Sequence, residues 1–158
     1  MIAQATSADE STAEREIILS REYEAPRALV WEAWTQERHL AKWWGPNGFT
    51  TTIQEIDVRP GGAWRYVMHA PDGTNYDNVV LYSEVVERER LVYVHGDGED
   101  HARDFHVTVT FAERDGRTTV TSRMLLPNAE ARRMAVGFGA VELGNQTFAR
   151  LAEHLATL

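Results

Sequence analysis

The sequence contains no cysteine. Disulfide bonds, thiolate metal sites and a cysteine nucleophile are therefore excluded. It also has no apolar run near the roughly 20 residues that a membrane-spanning helix needs. Residues 1–16 lack the positively charged and apolar regions of a signal peptide. These absences predict a soluble, cytoplasmic protein.

Basic residues are fewer than acidic ones: 16 Lys and Arg stand against 24 Asp and Glu, which gives a formal net charge of −8. Nucleic acids and anionic membranes need a basic face, so neither is expected as a partner. The chain has 158 residues, 43% hydrophobic and 25% charged, which is ordinary for a globular protein. A chain of this length favours a single domain.

The first segment is small and polar and has no apolar periodicity. We interpret residues 1–13 as a disordered tail and residues 14–158 as one domain. No internal repeat or linker divides that domain.

Alternating apolar residues predict seven strands and two short helices. The helices follow the first strand: one begins at Pro26, and Thr35 is placed to cap the other, Gln36–Lys42, in which Leu40 points inward. The predicted strands are Glu16–Glu24, Phe49–Val58, Ala63–Ala70, Asn78–Glu87, Leu91–His95, Phe105–Glu113 and Arg117–Leu126.

The last segment, after Pro127-Asn128, predicts a long amphipathic helix. Its apolar residues recur at spacings of three, four or seven: Met134, Phe138, Val141, Phe148, Leu151 and Leu155. Three glycines interrupt it: Gly137, Gly139 and Gly144. Each costs about 0.8–1 kcal/mol relative to alanine inside a helix, so they indicate either a kink or a close approach to another group.

Strands joined by short turns favour an antiparallel sheet, and helices gathered on one side make the fold α+β. The order is strand, two short helices, six strands and a long helix. Only that last helix is long enough to cover the concave face of a curved seven-stranded sheet.

Two segments resemble the homologues of the activator of the heat-shock-protein-90 ATPase. They are Ala25–Pro46 (APRALVWEAWTQERHLAKWWGP) and Arg59–Gly73 (RPGGAWRYVMHAPDG), and their most specific parts are Trp43–Pro46 and Pro60–Gly62. Gln36-Glu37 departs from the family, which often has Asp-Pro there. The family belongs to the START-related, or SRPBCC (birch-pollen-allergen-like), superfamily.

The resemblance implies a helix-grip fold: a curved sheet grips a long C-terminal helix and leaves a cavity between them. Members of the superfamily carry hydrophobic ligands, shape polyketide intermediates or act as co-chaperones. Fold alone does not choose among these roles.

Nine residues are predicted to line such a cavity, on the order of 300–1,000 Å³. Strand alternation supplies Trp64, Tyr66, Met68 and Tyr82, and methionines suit an adaptable apolar wall. Tyr66, Tyr82 and His69 are candidates for orienting a ligand. The full set is Trp64, Tyr66, Met68, His69, Tyr82, Met124, Met134, Phe138 and Val141.

The tryptophans and the strand histidines also have a structural interpretation. Trp34 and Trp43 are expected in the core, whereas Trp64 could belong to the core or the cavity. Among the strand histidines, His95 and His106 are expected on a solvated face, and His69 stays a candidate.

No cofactor, metal or catalytic group is predicted. No histidine pair has metal-ligand spacing, and the acidic loop Asp97–Asp104 lacks the spacing of a calcium-binding EF-hand loop. Phosphate loops, dinucleotide fingerprints and nucleophile elbows are absent.

The sequence therefore predicts a protein that binds a small hydrophobic, aromatic or lipid-like molecule and is not primarily an enzyme. Two alternatives remain open: a co-chaperone that stimulates a chaperone ATPase, and a cyclase or dehydratase that uses cavity polar groups. A homodimer is possible through sheet edges and exposed tryptophans.

Overall fold

The computed structural model describes residues 12–158, which form a curved, unclosed antiparallel sheet with helices packed on one face. A helical turn at residues 12–15 precedes the first strand. The strands are β1 (Glu16–Tyr23), β2 (Thr50–Ile56), β3 (Ala63–His69), β4 (Asn75–Val86), β5 (Arg90–Gly96), β6 (Phe105–Arg114) and β7 (Arg117–Leu125). The helices are α1 (Arg27–Thr35), α2 (Glu37–Trp43), α3 (Ala129–Gly137) and α4 (Ala140–Leu155), and a short 3₁₀ turn spans His101–Arg103.

The seven strands lie in the order β1-β7-β6-β5-β4-β3-β2, so β1 and β2 form the two edges. All neighbours pair antiparallel, and bulges interrupt the register in β2 between Ile53 and Glu55 and in β4 between Tyr82 and Glu84. Bulges bend a strand and increase its twist, which suits a sheet that curves around helices. The predicted α+β helix-grip architecture is confirmed.

The two short helices place tryptophan rings in the core. Trp31 packs edge-on against Phe111 of β6, with ring centroids 5.3 Å apart, and Trp34 packs edge-on against Trp43 at 5.1 Å. Their burial matches the core position expected for Trp34 and Trp43. Thr35 does not cap α2, because its hydroxyl instead donates to the Trp31 carbonyl one turn back.

The last segment forms two helices where the periodicity predicted one. Gly139 has a φ of 88°, in the left-handed region, and it ends the run of α3 before α4 begins. Glycine alone adopts this conformation without steric cost. The second glycine has a different role: Gly144 lies against Leu19 of β1, so both predicted consequences of the glycines, a break and a close approach, are present.

Helix α4 is the part of this segment that packs on the sheet. It buries Phe148, Leu151 and Leu155. Tyr23 of β1 donates a hydrogen bond of 2.9 Å to the Phe148 carbonyl. Helix α3 has no buried residue. Of these two helices, only α4 therefore covers the concave face of the sheet.

The predicted disordered tail, residues 1–13, lies outside the described residues apart from 12 and 13 in the initial helical turn.

Candidate ligand-binding cavity

A cavity of about 180 Å³ lies between α4, the α2–β2 loop and the concave face of the sheet. Its walls are mainly apolar and aromatic. They are formed by Leu19, Trp34, Trp44, Gly45, Pro46, Tyr66, Met68, Tyr93, His95, Phe105, Val107, Ser122, Met124, Gly144, Thr147 and Phe148. The volume is smaller than the sequence-based expectation, because large aromatic rings occupy much of the space under the helix.

Three of the predicted residues line this cavity: Tyr66, Met68 and Met124. Trp64 and Tyr82 lie in the layer next to it and are buried. The Trp64 ring stacks on Tyr66 with centroids 4.3 Å apart, and Tyr82 packs edge-on against Tyr93 at 5.9 Å. These two residues support the cavity wall and are not part of its lining.

His69 does not reach the cavity. It follows Met68, so the alternation of β3 turns it away from the cavity face. Its Nε2 lies 2.8 Å from the Thr52 hydroxyl and its Nδ1 lies 2.7 Å from Asn75 Oδ1, both exposed contacts. Both ring nitrogens of His69 therefore have hydrogen-bond partners at the surface.

Met134, Phe138 and Val141 are also outside the cavity and are 56%, 80% and 39% exposed. The expectation that they form its roof assumed one unbroken helix. Because the backbone breaks at Gly139, Met134 and Phe138 do not continue the buried face of α4, and Val141 lies in the first turn of α4, before the buried residues Phe148, Leu151 and Leu155. Met134 and Phe138 instead line a surface groove of about 430 Å³.

His95 is a cavity residue that sequence reasoning placed on a solvated face. It alternates along β5 with Leu91 and Tyr93, which are both buried on the concave side. The same period of two would have assigned His95 to the cavity. Tyr93, Trp44 and Phe148, also in the lining, were not predicted as site residues either.

A chain of polar side chains crosses three strands at the cavity wall. His95 Nε2 lies 3.1 Å from the Tyr66 hydroxyl oxygen and 2.9 Å from Asn78 Oδ1. Asn78 is the cross-strand partner of Tyr66, and His95 pairs with Val80, two residues farther along β4. Sheet register therefore brings these three groups together.

Burial controls the charge of this chain. It raises the pKa of the Tyr66 hydroxyl well above its usual range, although the neighbouring Trp44 side chain has a smaller, opposite effect. Burial also lowers the pKa of His95 to about 4, against the smaller opposite effect of Asp104. Both groups are neutral at pH 7.

The Trp34 indole is a second polar group at the cavity. Its ring is buried among Trp43, Trp44, Phe111 and Phe148. Its Nε1 has no hydrogen-bond partner among the described residues. An unpaired buried donor costs free energy, so this indole lowers the stability of the core.

The described lining contains no carboxylate, lysine or arginine. Its polar side chains are hydroxyls, indoles and one neutral imidazole. Burying an unpaired charge is costly, so the cavity is suited to a neutral molecule.

Phe105 borders three spaces. It lines the cavity, the surface groove beside Met134 and Phe138, and a second surface depression of about 550 Å³ beside Asn75 and Tyr76. His95 also borders that second depression.

Arg150 of α4 fastens the α2–β2 loop over the cavity. Its Nη1 donates to the carbonyls of Gly45 at 2.7 Å and Pro46 at 3.0 Å. A second hydrogen bond joins the loop to α4, because the backbone N–H of Asn47 donates to Gln146 Oε1 at 3.1 Å. The Trp43–Pro46 motif thus joins α2 to the last helix.

No group of three or more potential metal ligands occurs within residues 12–158. In the acidic loop the carboxylates bond locally. Asp97 accepts the amides of Glu99 and Asp100, which lowers its pKa, and Asp104 contacts His101 at 3.0 Å. In the same part of the chain, no helix has the length and apolar character to span a bilayer.

Residues 24–156 match the family model described as Activator of Hsp90 ATPase homolog 1-like protein. The chain belongs to this family. The match covers α1 through α4, including both segments on which the sequence resemblance rested.

Solved structures share the fold over nearly the whole chain. A protein from Nitrosomonas europaea is 25% identical with a TM-score of 0.82, covering 92% of this chain and 96% of its own. A Mycobacterium smegmatis protein is 26% identical with a TM-score of 0.81, covering 90% and 91%. An Arthrobacter aurescens protein has a TM-score of 0.85 at 22% identity, covering 93% and 89%, which shows the fold alone. No curated protein sequence matches the chain.

Proposed function

We propose that this member of the Activator of Hsp90 ATPase homolog 1-like family binds a small, neutral, largely apolar molecule in the cavity beneath α4. The observation that carries the proposal is a space of about 180 Å³ beneath α4 with aromatic and methionine walls and no charged lining residue among those described. Removing apolar ligand surface from water contributes about 25 cal/mol per Å².

The volume favours a compact ligand. An apolar protein cavity of about 150 Å³ is large enough to hold benzene. A cavity of about 180 Å³ therefore suits one substituted aromatic ring or a short aliphatic chain, and a longer lipid would have to extend beyond it.

Methionine methyl groups give a direct test. Met68 and Met124 line the cavity, whereas Met134 lies in the surface groove. In protein labelled with ¹³C at the methionine methyls, titration with toluene is expected to shift the Met68 and Met124 signals and to leave Met134 in place. Absence of any shift, or a shift confined to Met134, would reject binding in this cavity.

A co-chaperone role is the second candidate. The family description names activation of a chaperone ATPase, and Phe138 presents an 80% exposed aromatic ring beside the exposed Met134. Exposed apolar groups of this kind favour contact with another protein. An ATPase assay with an Hsp90-type chaperone tests it: stimulation that Phe138→Ala reduces would favour this role, and no stimulation would reject it.

The cavity offers less support for a cyclase or dehydratase. Acid–base catalysis requires a group whose pKa lies near the working pH. The pKa of Tyr66 is raised, and that of His95 is lowered to about 4. Dimerisation also stays a prediction, and the tryptophans expected to favour it are buried, apart from the partly buried Trp44.

A further inference from the structure

The hydrogen-bond partners of Asn78 fix the proton on His95. Asn78 Nδ2 lies 3.0 Å from the Tyr76 carbonyl, which can only accept, so the amide nitrogen must occupy that position. The amide oxygen then faces His95 Nε2 at 2.9 Å. Because that oxygen also only accepts, Nε2 must carry the proton.

This tautomer determines how Tyr66 is bonded. A protonated Nε2 cannot accept the Tyr66 proton, so in the contact of 3.1 Å the one Nε2 proton is shared between Asn78 Oδ1 and the Tyr66 oxygen as a bifurcated hydrogen bond. His95 Nε2 is the only hydrogen-bond partner of the Tyr66 hydroxyl among the described residues, and it offers no lone pair. The Tyr66 proton therefore has no acceptor and remains to be donated.

Tyr66 lines the cavity, so its remaining donor faces a site that a ligand can occupy. Trp34 also lines the cavity, but its unpaired Nε1 has no accessible surface there. The unsatisfied group that this argument offers to a ligand is therefore the Tyr66 donor.

We infer that the cavity selects a neutral carbonyl compound of about one aromatic ring, whose oxygen accepts a hydrogen bond from the Tyr66 hydroxyl. This inference rests on the proposed function and specifies its ligand class. A carbonyl oxygen offers acceptor sites and no donor, which matches the unsatisfied Tyr66 proton. A carboxylate offers acceptors too, but no cation in the described lining would balance its charge.

A matched ligand pair isolates the carbonyl. Acetophenone and α-methylstyrene have nearly the same shape and differ by oxygen in place of a methylene group. With a net hydrogen-bond contribution of 0.5–1.5 kcal/mol, acetophenone is expected to bind about 2- to 12-fold more tightly. Benzoate is expected to bind more weakly than acetophenone at neutral pH.

Two readouts test the donor itself. The infrared carbonyl stretch of bound acetophenone is expected to move to lower frequency than in an apolar solvent, in the unmodified protein. In Tyr66→Phe this shift and the preference for acetophenone are expected to diminish strongly. Tyr82→Phe is the matched control, because Tyr82 is equally buried and lies outside the cavity lining.

The outcomes separate the two proposals. If both ligands bind equally and the carbonyl stretch is unshifted, the carbonyl inference is wrong while cavity binding stands. Tighter binding of benzoate would also overturn it. If neither neutral ligand binds the unmodified protein, cavity binding fails and the inference fails with it. The infrared measurement needs no variant, so poor folding of Tyr66→Phe would not prevent a decision.

Discussion

Leu19 of β1 occupies the space that a side chain on Gly144 of α4 would need. A Cβ placed on Gly144 would lie 2.3 Å from Leu19 Cδ1. Both residues line the cavity, so the missing side chain sets how closely the last helix approaches the edge strand.

Replacing this glycine should therefore stabilise the protein less than replacing a glycine that has open space around it. Gly144→Ala gains about 1 kcal/mol in helix propensity, but overpacking against Leu19 is expected to cost about 1–3 kcal/mol. Gly137→Ala is the control, because it lies in α3 with open space around its Cβ position. Urea unfolding should show Gly144→Ala to be the less stable of the two. Equal stability, or a more stable Gly144→Ala, would show that Leu19 moves aside at little cost in free energy.

Arg150 supplies a second test of how the last helix is attached. Arg150→Lys retains the charge, but its shorter side chain has one nitrogen in place of Nη1, which donates to Gly45 and Pro46, and Nη2, which donates to the Lys42 carbonyl at 3.4 Å. The free energy of unfolding is expected to fall by about 1–3 kcal/mol. High salt should change that loss little, because the acceptors are neutral.

The control for that variant is Arg114→Lys. The Arg114 side chain is 94% exposed, so its replacement should change stability by less than about 0.5 kcal/mol. Indistinguishable unfolding curves for the two variants would contradict the fastening role of Arg150.

Stability should depend on pH through His95. Burial lowers its pKa in the folded protein to about 4, whereas the unfolded chain has a value near 6.5. The unfolded state therefore binds more protons between these values. Linkage then predicts that stability falls as the pH drops from about 6.5 to 4, by an amount on the order of 2–3 kcal/mol.

His95→Gln should flatten this part of the pH profile, since glutamine can still donate to Asn78 and does not titrate. His106→Gln removes an exposed histidine from the neighbouring strand and is the matched control. Urea midpoints measured between pH 4 and 7 test both. If the slope of stability against pH is the same in His95→Gln, a group other than His95 causes it.

Filling the cavity should block the ligand. Thr147 of α4 lines the cavity, and Thr147→Phe is expected to weaken toluene binding at least tenfold, measured from the Met68 and Met124 methyl shifts. Thr121→Phe is the control, because the Thr121 hydroxyl contacts Ser20 at an exposed position of the sheet. Equal toluene affinities for the two variants would argue against the cavity as the binding site.

Strand alternation predicted the sheet and much of its buried face. It placed Tyr66 and Met68 together, and both line the cavity. The same rule, extended along β5 from Leu91 and Tyr93, includes His95. That residue was missed because a histidine at a strand end was expected to face water.

The phase of the last helix could not be extrapolated across its glycines. In the sequence, Met134 and Phe138 continue the helical spacing of Phe148 and Leu151. The backbone break at Gly139 changes the direction of the helix axis, so the side chains before it no longer lie on the same face. Local spacing carries no information about that change, because a glycine can either continue a helix or end it.

The hydrogen bonds at Tyr66 depend on register between strands. Asn78 is 12 residues from Tyr66 and 17 from His95 in the chain, and they meet only because β4 pairs with β3 and β5 in one specific alignment. Sequence alternation gives the face of each residue and leaves its cross-strand neighbours undetermined.

The position of Phe105 has a consequence for entry into the interior. Its ring borders the cavity and two outer depressions, and His95 is likewise shared by the cavity and one of those depressions. Access to the interior from this side therefore depends on these two side chains and not on movement of α4.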